Sequence, residues 1–106
     1  MQYREDAKIL KALADENRLA ILEYLKDGEK GAAELSEKMN ISQSTLSHHM
    51  KILTDSGIVD YRKDGKWIYY NVSERGKKDL TQLILKYMLF CELSEASLKV
   101  LEEASK

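Results

Sequence analysis

At 106 residues with a net charge of −1, the chain has the length of one domain, and a domain this small buries a modest fraction of its surface. No apolar run reaches the roughly eighteen residues that a membrane span needs, and the opening stretch MQYREDAKIL lacks the apolar core of a signal peptide. A single cysteine excludes an internal disulfide framework and fits a reducing interior, so the expectation is a soluble, cytoplasmic chain with no membrane partner.

Tyr3 to Ala14 places Ile9, Leu10, Leu13 and Ala14 between charges and reads as a helix. Asp15-Glu16-Asn17 interrupts it, with Asn17 able to cap a second helix from Arg18 to about Lys26. That helix carries Leu19, Leu22 and Leu25 at i, i+3 and i+6, with Ile21 alongside, and ends at Asp27-Gly28. Lys30-Gly31 opens a third, short helix over Ala32 to Met39, which buries Ala33, Leu35 and Met39. The Asn40-Ile41 turn then leads to Ser42, a natural N-cap.

The stretch from Ser42 to Ser56, SQSTLSHHMKILTDS, separates into two faces at about 100° per residue. Leu46, Met50 and Leu53 share one face, with Ile52 further round. Ser44, Ser47, His48 and Lys51 gather opposite, and Gln43 is exposed in the first turn. Small hydroxyls let a helix sink into a groove, Gln and His reach base edges, and Lys reaches a phosphate. Two short helices joined by a tight turn, the second with such a face, form a helix-turn-helix.

Gly57 stops that helix. Ile58 to Lys63 and Lys66 to Val72 are rich in Val, Ile, Tyr and Trp, and the Asp64-Gly65 linker between them predicts a hairpin with a type I′ turn. Arg62, Lys63 and Lys66 cluster at its tip, which makes it a basic wing. Trp67 and Tyr70 offer faces on which a ligand could stack, but strand aromatics more often pack the hairpin onto the helices, and that is expected here. Charge follows the same division. Residues 38–78 hold eight Lys/Arg against four Asp/Glu, while residues 1–37 hold six against nine and residues 79–106 three against five. The basic segment contains the polar helix and the wing, as a nucleic-acid footprint requires.

Ser73 caps the last region. From Lys77 the chain is strongly apolar, and Leu83 to Leu93 is apolar nearly all round, the mark of an oligomer interface. Ser94-Glu95 can restart a second helical piece. Cys91 within this stretch is a candidate thiol or soft-metal sensor. A free cysteine is more often a small buried hydrophobe, and nothing cationic lies near it except Lys86 at i−5, so a lowered thiol pKa is not expected. His48 and His49 are adjacent and cannot share one helix face, so they form no joint metal site. His48 reads as a DNA contact, and His49 on the flank serves equally as a DNA contact or a structural hydrogen-bonder. No nucleophile elbow or Gly-rich oxyanion loop surrounds any serine, which argues against an enzyme.

The blocks LKALADENRLAILEYL (10–25), AAELSEKMNISQSTLSHHMKILTDSGIV (32–59) and DGKWIYYNV (64–72) together resemble the ArsR/SmtB group of winged-helix transcriptional repressors. The resemblance covers nearly the whole chain. It implies a mainly helical α+β winged helix-turn-helix over 1–106, with 1–14 and 73–106 as dimerisation helices, 32–56 as the helix-turn-helix and 58–72 as a two-stranded wing. It also implies a homodimer on palindromic double-stranded operator DNA, released by an inducer. The family's DNA contacts fall on Gln43, Ser44, Ser47 and His48, with His49 adjacent and Lys51, Arg62, Lys63 and Lys66 on phosphates or the minor groove. The family's metal sites do not carry over. GAAELSEKM has no cysteine or histidine, and the last helix offers Asp79, Glu92 and Glu95 without a histidine. Metal sites need several converging thiolate or imidazole ligands. No cofactor is expected, and the inducer is unassigned. The alternatives are a sensor acting through Cys91 and a winged-helix module for protein–protein contact, whose docking face would be more apolar.

Overall fold

The computed structural model describes residues 3–88 and 102–104. In chain order the elements are α1 (Tyr3–Leu13), α2 (Glu16–Leu25), β1 (Lys30–Gly31), α3 (Ala32–Met39), α4 (Gln43–Asp55), β2 (Val59–Asp64), β3 (Trp67–Val72) and α5 (Glu74–Met88). Expectations for Leu89 to Leu93, for Cys91 and for a restart at Ser94 lie outside the described residues.

Helices α2, α4 and α5 begin where a side chain satisfies orphan N–H groups, whereas Gly31 before α3 makes no side-chain cap. The cap of α2 is Asp15 rather than Asn17. Its carboxylate accepts from the backbone N–H of Asn17 at 2.8 Å and of Arg18 at 3.2 Å, so the helix starts two residues earlier than expected. A carboxylate at this position satisfies two donors and also meets the positive end of the helix. Ser42 caps α4, its Oγ accepting from the N–H of Thr45 at 3.1 Å. Ser73 caps α5, accepting from the N–H of Gly76 at 3.0 Å. Asn40, in the left-handed region at φ 54, ends α3 with its N–H on the carbonyls of Ser36 and Glu37.

The core forms where α2, α3, α4 and the strands meet, around Ile21, Leu25, Leu35, Leu46, Met50, Leu53, Ile58 and Val59. In α2 the buried row is Ile21 and Leu25, whereas Leu19 is 55% exposed. The i, i+4 pair therefore faces inward, and the i, i+3 leucine row only partly does so. In α3 Leu35 is buried, but Ala33 lies outside.

The sheet has three strands rather than two, in the order β1-β3-β2 and antiparallel throughout. Lys30 and Gly31 do not open α3. They pair with Tyr70 and Tyr69 and cover the inner edge of β3. The hairpin register pairs Val59 with Val72 at its base and Asp64 with Trp67 at its tip. The turn is therefore Gly65-Lys66, one residue later than expected. Only Gly65 has positive φ, at 63, which is the type II′ pattern with glycine first rather than type I′.

Gly76 holds the end of the sheet against the end of α4. A Cβ built there would stand 2.2 Å from the carbonyl oxygen of Gly57, so this approach of backbone to backbone admits glycine alone. The amide of Ser73 donates to the carbonyl of Ile58 at 2.8 Å beside it.

Candidate nucleic-acid interface

Helix α4 presents two unlike sides. Leu46, His49, Met50 and Leu53 are buried. Gln43, Ser44, Ser47, His48 and Lys51 are all exposed, so the structure gathers these expected contacts on one outward surface. The cap at Ser42 fixes where that surface starts. Its Oγ also donates to Thr45 Oγ1 at 2.9 Å and lies 3.1 Å from Ser44 Oγ, which orients the first turn. Lys51 reaches Asp55 at 3.3 Å along the same side, an exposed pair worth little in water.

His49 leaves the set. It is 7% exposed and belongs to the core side of α4, where its ring nitrogens meet protein partners. Arg18 Nη1 stands 3.1 Å from His49 Nδ1, and the Asn17 side-chain amide nitrogen stands 3.4 Å from Nε2. A guanidinium only donates, so Nδ1 is the acceptor and the proton of the neutral ring sits on Nε2. With the proton on Nε2, the network assigns the oxygen of the Asn17 amide, rather than the nitrogen placed there, to this contact. Burial lowers the pKa of His49, and the charges of Arg18 and His48 act the same way against the opposing pull of Asp15. Arg18 also donates from Nε to the carbonyl of Ala12 at 2.7 Å and from Nη2 to that of Lys11 at 3.2 Å. One guanidinium thus joins the end of α1, the start of α2 and the inner side of α4. The sequence reading missed this role, because His49 is 31 residues from Arg18 and the pair follows no period.

The wing stands beside the first turns of α4. Lys63 and Lys66 are exposed near the tip, with Lys66 Nζ 5.2 Å from the Trp67 ring centre. Trp67 is 53% exposed and does not pack the hairpin onto the helices as expected, whereas Tyr70 is buried and does. Trp67 lies beyond the last core contact, at the tip pair of the register. Between wing and α4 runs a cleft of about 370 Å³ with Gln43, Ser47, Lys66 and Trp67 among its walls. Arg62 is placed differently from the two lysines. Its Nε and Nη2 each donate to the Glu29 carboxylate at 2.8 Å, and its guanidinium lies 4.4 Å from the Tyr69 ring centre. Those hydrogen bonds hold the Glu29 carboxyl below its ordinary range. Arg62 therefore braces the wing against the loop before β1 and is not presented as a loose cation at the tip.

Among the described residues no three His, Cys, Asp or Glu side chains converge as a metal site would require. Asp79 pairs with Arg75 at 3.7 Å. No helix among them is long and apolar enough to cross a membrane.

Residues 15–61, from the cap of α2 into β2, match the model for bacterial regulatory proteins of the arsR family. The arsenical resistance operon repressor of Staphylococcus aureus is 45% identical over 82 residues, covering 77% of this chain and 79% of that protein. The chain belongs to the arsR family of bacterial regulatory proteins. Members of this family are transcription regulators and not enzymes. The transcriptional activator HlyU of Vibrio cholerae is 37% identical over 87 residues, covering 82% of this chain and 79% of that protein. Its solved structure superposes with a TM-score of 0.65 at 35% identity, covering 84% of this chain and 100% of that chain. The transcriptional repressor BigR of Xylella fastidiosa gives 0.62 at 34% identity over 87% of this chain and 92% of that chain. These arsR-family neighbours share the winged-helix arrangement found here, whether they are named activator or repressor. The matched stretch holds Asp15, Arg18 and all of α4, while Arg62, Lys63 and Lys66 follow it.

Proposed function

We propose that the chain is a cytoplasmic, homodimeric repressor that binds double-stranded operator DNA and is released by an inducer bound elsewhere than at the family's usual metal sites. The observation that carries this reading is the outward side of α4, short and polar from Gln43 to Lys51 on a helix whose inner side is locked into the core. Gln43, Ser44, Ser47 and His48 read base edges in the major groove. Lys51, Lys63 and Lys66 hold phosphates, and Arg62 joins them when it leaves Glu29.

Dimerisation is supported by apolar side chains left outside on the first and last described helices. Tyr3 is 61% exposed and Leu10 41% on α1, and Ile84 is 43% and Met88 63% on α5. The two helices are already tied to each other, because Lys86 Nζ at 3.0 Å and the Tyr87 hydroxyl both donate to Asp6. A second copy would cover these positions, giving two reading helices for two half-sites.

The test is a titration of the purified chain against the DNA upstream of its own gene over a series of salt concentrations, with its mass in solution measured alongside. Expected are twice the mass of one chain and an affinity that falls steeply as salt rises. A monomer, or an affinity indifferent to salt, would refute the reading.

A further inference from the structure

Helix α1 carries Arg4, Lys8 and Lys11 at i, i+4 and i+7, which places all three within a narrow stripe along one side. Of its acidic residues, Asp6 is engaged by Lys86 and Tyr87 of α5, and Glu5, at i−3 to Lys8 on the edge of the stripe, makes no ion pair with it among the described residues. None of the three cations forms an ion pair among the described residues. With Arg18 of α2 and Ile52 and Asp55 of α4 they line a groove of about 480 Å³. Asp55 is the one carboxylate among the groove's lining residues, against the four cations Arg4, Lys8, Lys11 and Arg18.

The position of this groove gives the stripe its meaning. Gln43 and Ser47 border the cleft on the wing side of α4, whereas Ile52 and Asp55 border the groove toward α1. The reading side of α4 therefore lies between two rows of cations, one on the wing and one on α1. A helix seated in a major groove about 12 Å wide has a phosphate strand on each side. We infer that Arg4, Lys8 and Lys11 form a second phosphate-binding rail, which holds the DNA backbone on the side of α4 away from the wing. The inference rests on the DNA-binding reading above. The stripe is distinct from the apolar positions Tyr3 and Leu10 on the same helix, so one α1 can serve both a partner chain and DNA.

Binding to phosphates carries no sequence information, so a duplex of arbitrary sequence, about 30 base pairs long, is a sufficient probe. Fluorescence anisotropy titrations over a salt series would compare the unsubstituted full chain with Lys8→Gln/Lys11→Gln. The slope of log affinity against log salt is expected to shrink by about 0.9 for each phosphate that the variant no longer neutralises. Lys8→Arg/Lys11→Arg should keep it. Lys26→Gln/Lys78→Gln, the same change in charge away from this groove, should also leave it unaltered. An unchanged slope in the glutamine variant, at an unchanged melting temperature, overturns the rail, and so does an equal decrease in the Lys26/Lys78 control. Saturable stabilisation by inorganic phosphate at constant ionic strength, together with an unchanged DNA slope, assigns the groove to a small anion and overturns it as well. If the unsubstituted chain binds no duplex, the DNA reading itself fails and the rail fails with it.

Discussion

His48 and His49 stand next to each other in the chain and on different sides of α4. One is exposed beside Ser44 and Lys51. The other is buried, fixed by Arg18 and Asn17. Their rings lie 5.5 Å apart between centres, so the difference between them comes from about 100° of helix rotation and from what each ring meets. The outer side of α4 is built from groups that water satisfies as well as a ligand would. On the inner side, each atom has its partner inside the protein. Changes on the outer side should therefore be felt in DNA binding at constant stability, and changes on the inner side in stability first.

Ser47→Glu should separate the two sides most sharply. A carboxylate set against DNA from the centre of the outer side is expected to abolish binding, with the thermal midpoint close to that of the unsubstituted chain. A variant that still binds would move the reading surface elsewhere. Leu53→Ala is its counterpart inside. Leu53 is fully buried, and removing such a side chain costs about 2–5 kcal/mol, which denaturant unfolding would register as a lower midpoint with a similar slope. Gly76→Ala should follow at about 1–3 kcal/mol, because its methyl group meets the Gly57 carbonyl with no flexible side chain to give way.

Acid tests the inner side in another way. The folded pKa of His49 lies below its ordinary value of 6.5, so below that pH the unfolded chain binds the extra proton more readily than the folded one. The contribution of the neutral ring is complete above about pH 6.5 and declines as pH falls through the lowered folded value. Melting temperatures measured from pH 7.5 downward should therefore drop, and His49→Phe should flatten this dependence. A profile identical in the two proteins would show that His49 has no part in it. The smallest effect belongs to the wing. Glu29→Gln should release Arg62 and tighten DNA binding a few-fold, most visibly at low salt. Weaker binding instead would mean that the wing needs its brace more than the extra cation.

Much of this was legible in the chain because it follows a period or a local rule. The two sides of α4, the caps Ser42 and Ser73 and the hairpin all come from residues within a few positions of one another. What escaped depends on distant partners. Glu29 and Arg62 are 33 residues apart and Arg18 and His49 are 31, and no spacing announces either pair. β1 is two residues long, too short to show alternation, and exists because β3 had an open edge. Asp15 and Asn17 both have capping chemistry, and only the backbone decides between them. The α1 stripe was hidden by counting charge along segments, since residues 1–37 are acidic in sum while one side of their first helix is basic.

The contact between Gly76 and Gly57 has a mechanical consequence. With backbone resting on backbone, and Ser73 hydrogen-bonded to Ile58 next to it, the start of α5 has no compliant layer in which to slip. It behaves as a pivot. The fifteen residues of α5 form an arm about 22 Å long, so a tilt of about 5° swings Met88 through about 2 Å while leaving the root of the helix almost still. Seen from the other end, a small push on the tip of that arm is returned at the fulcrum as torque on the segment that closes α4.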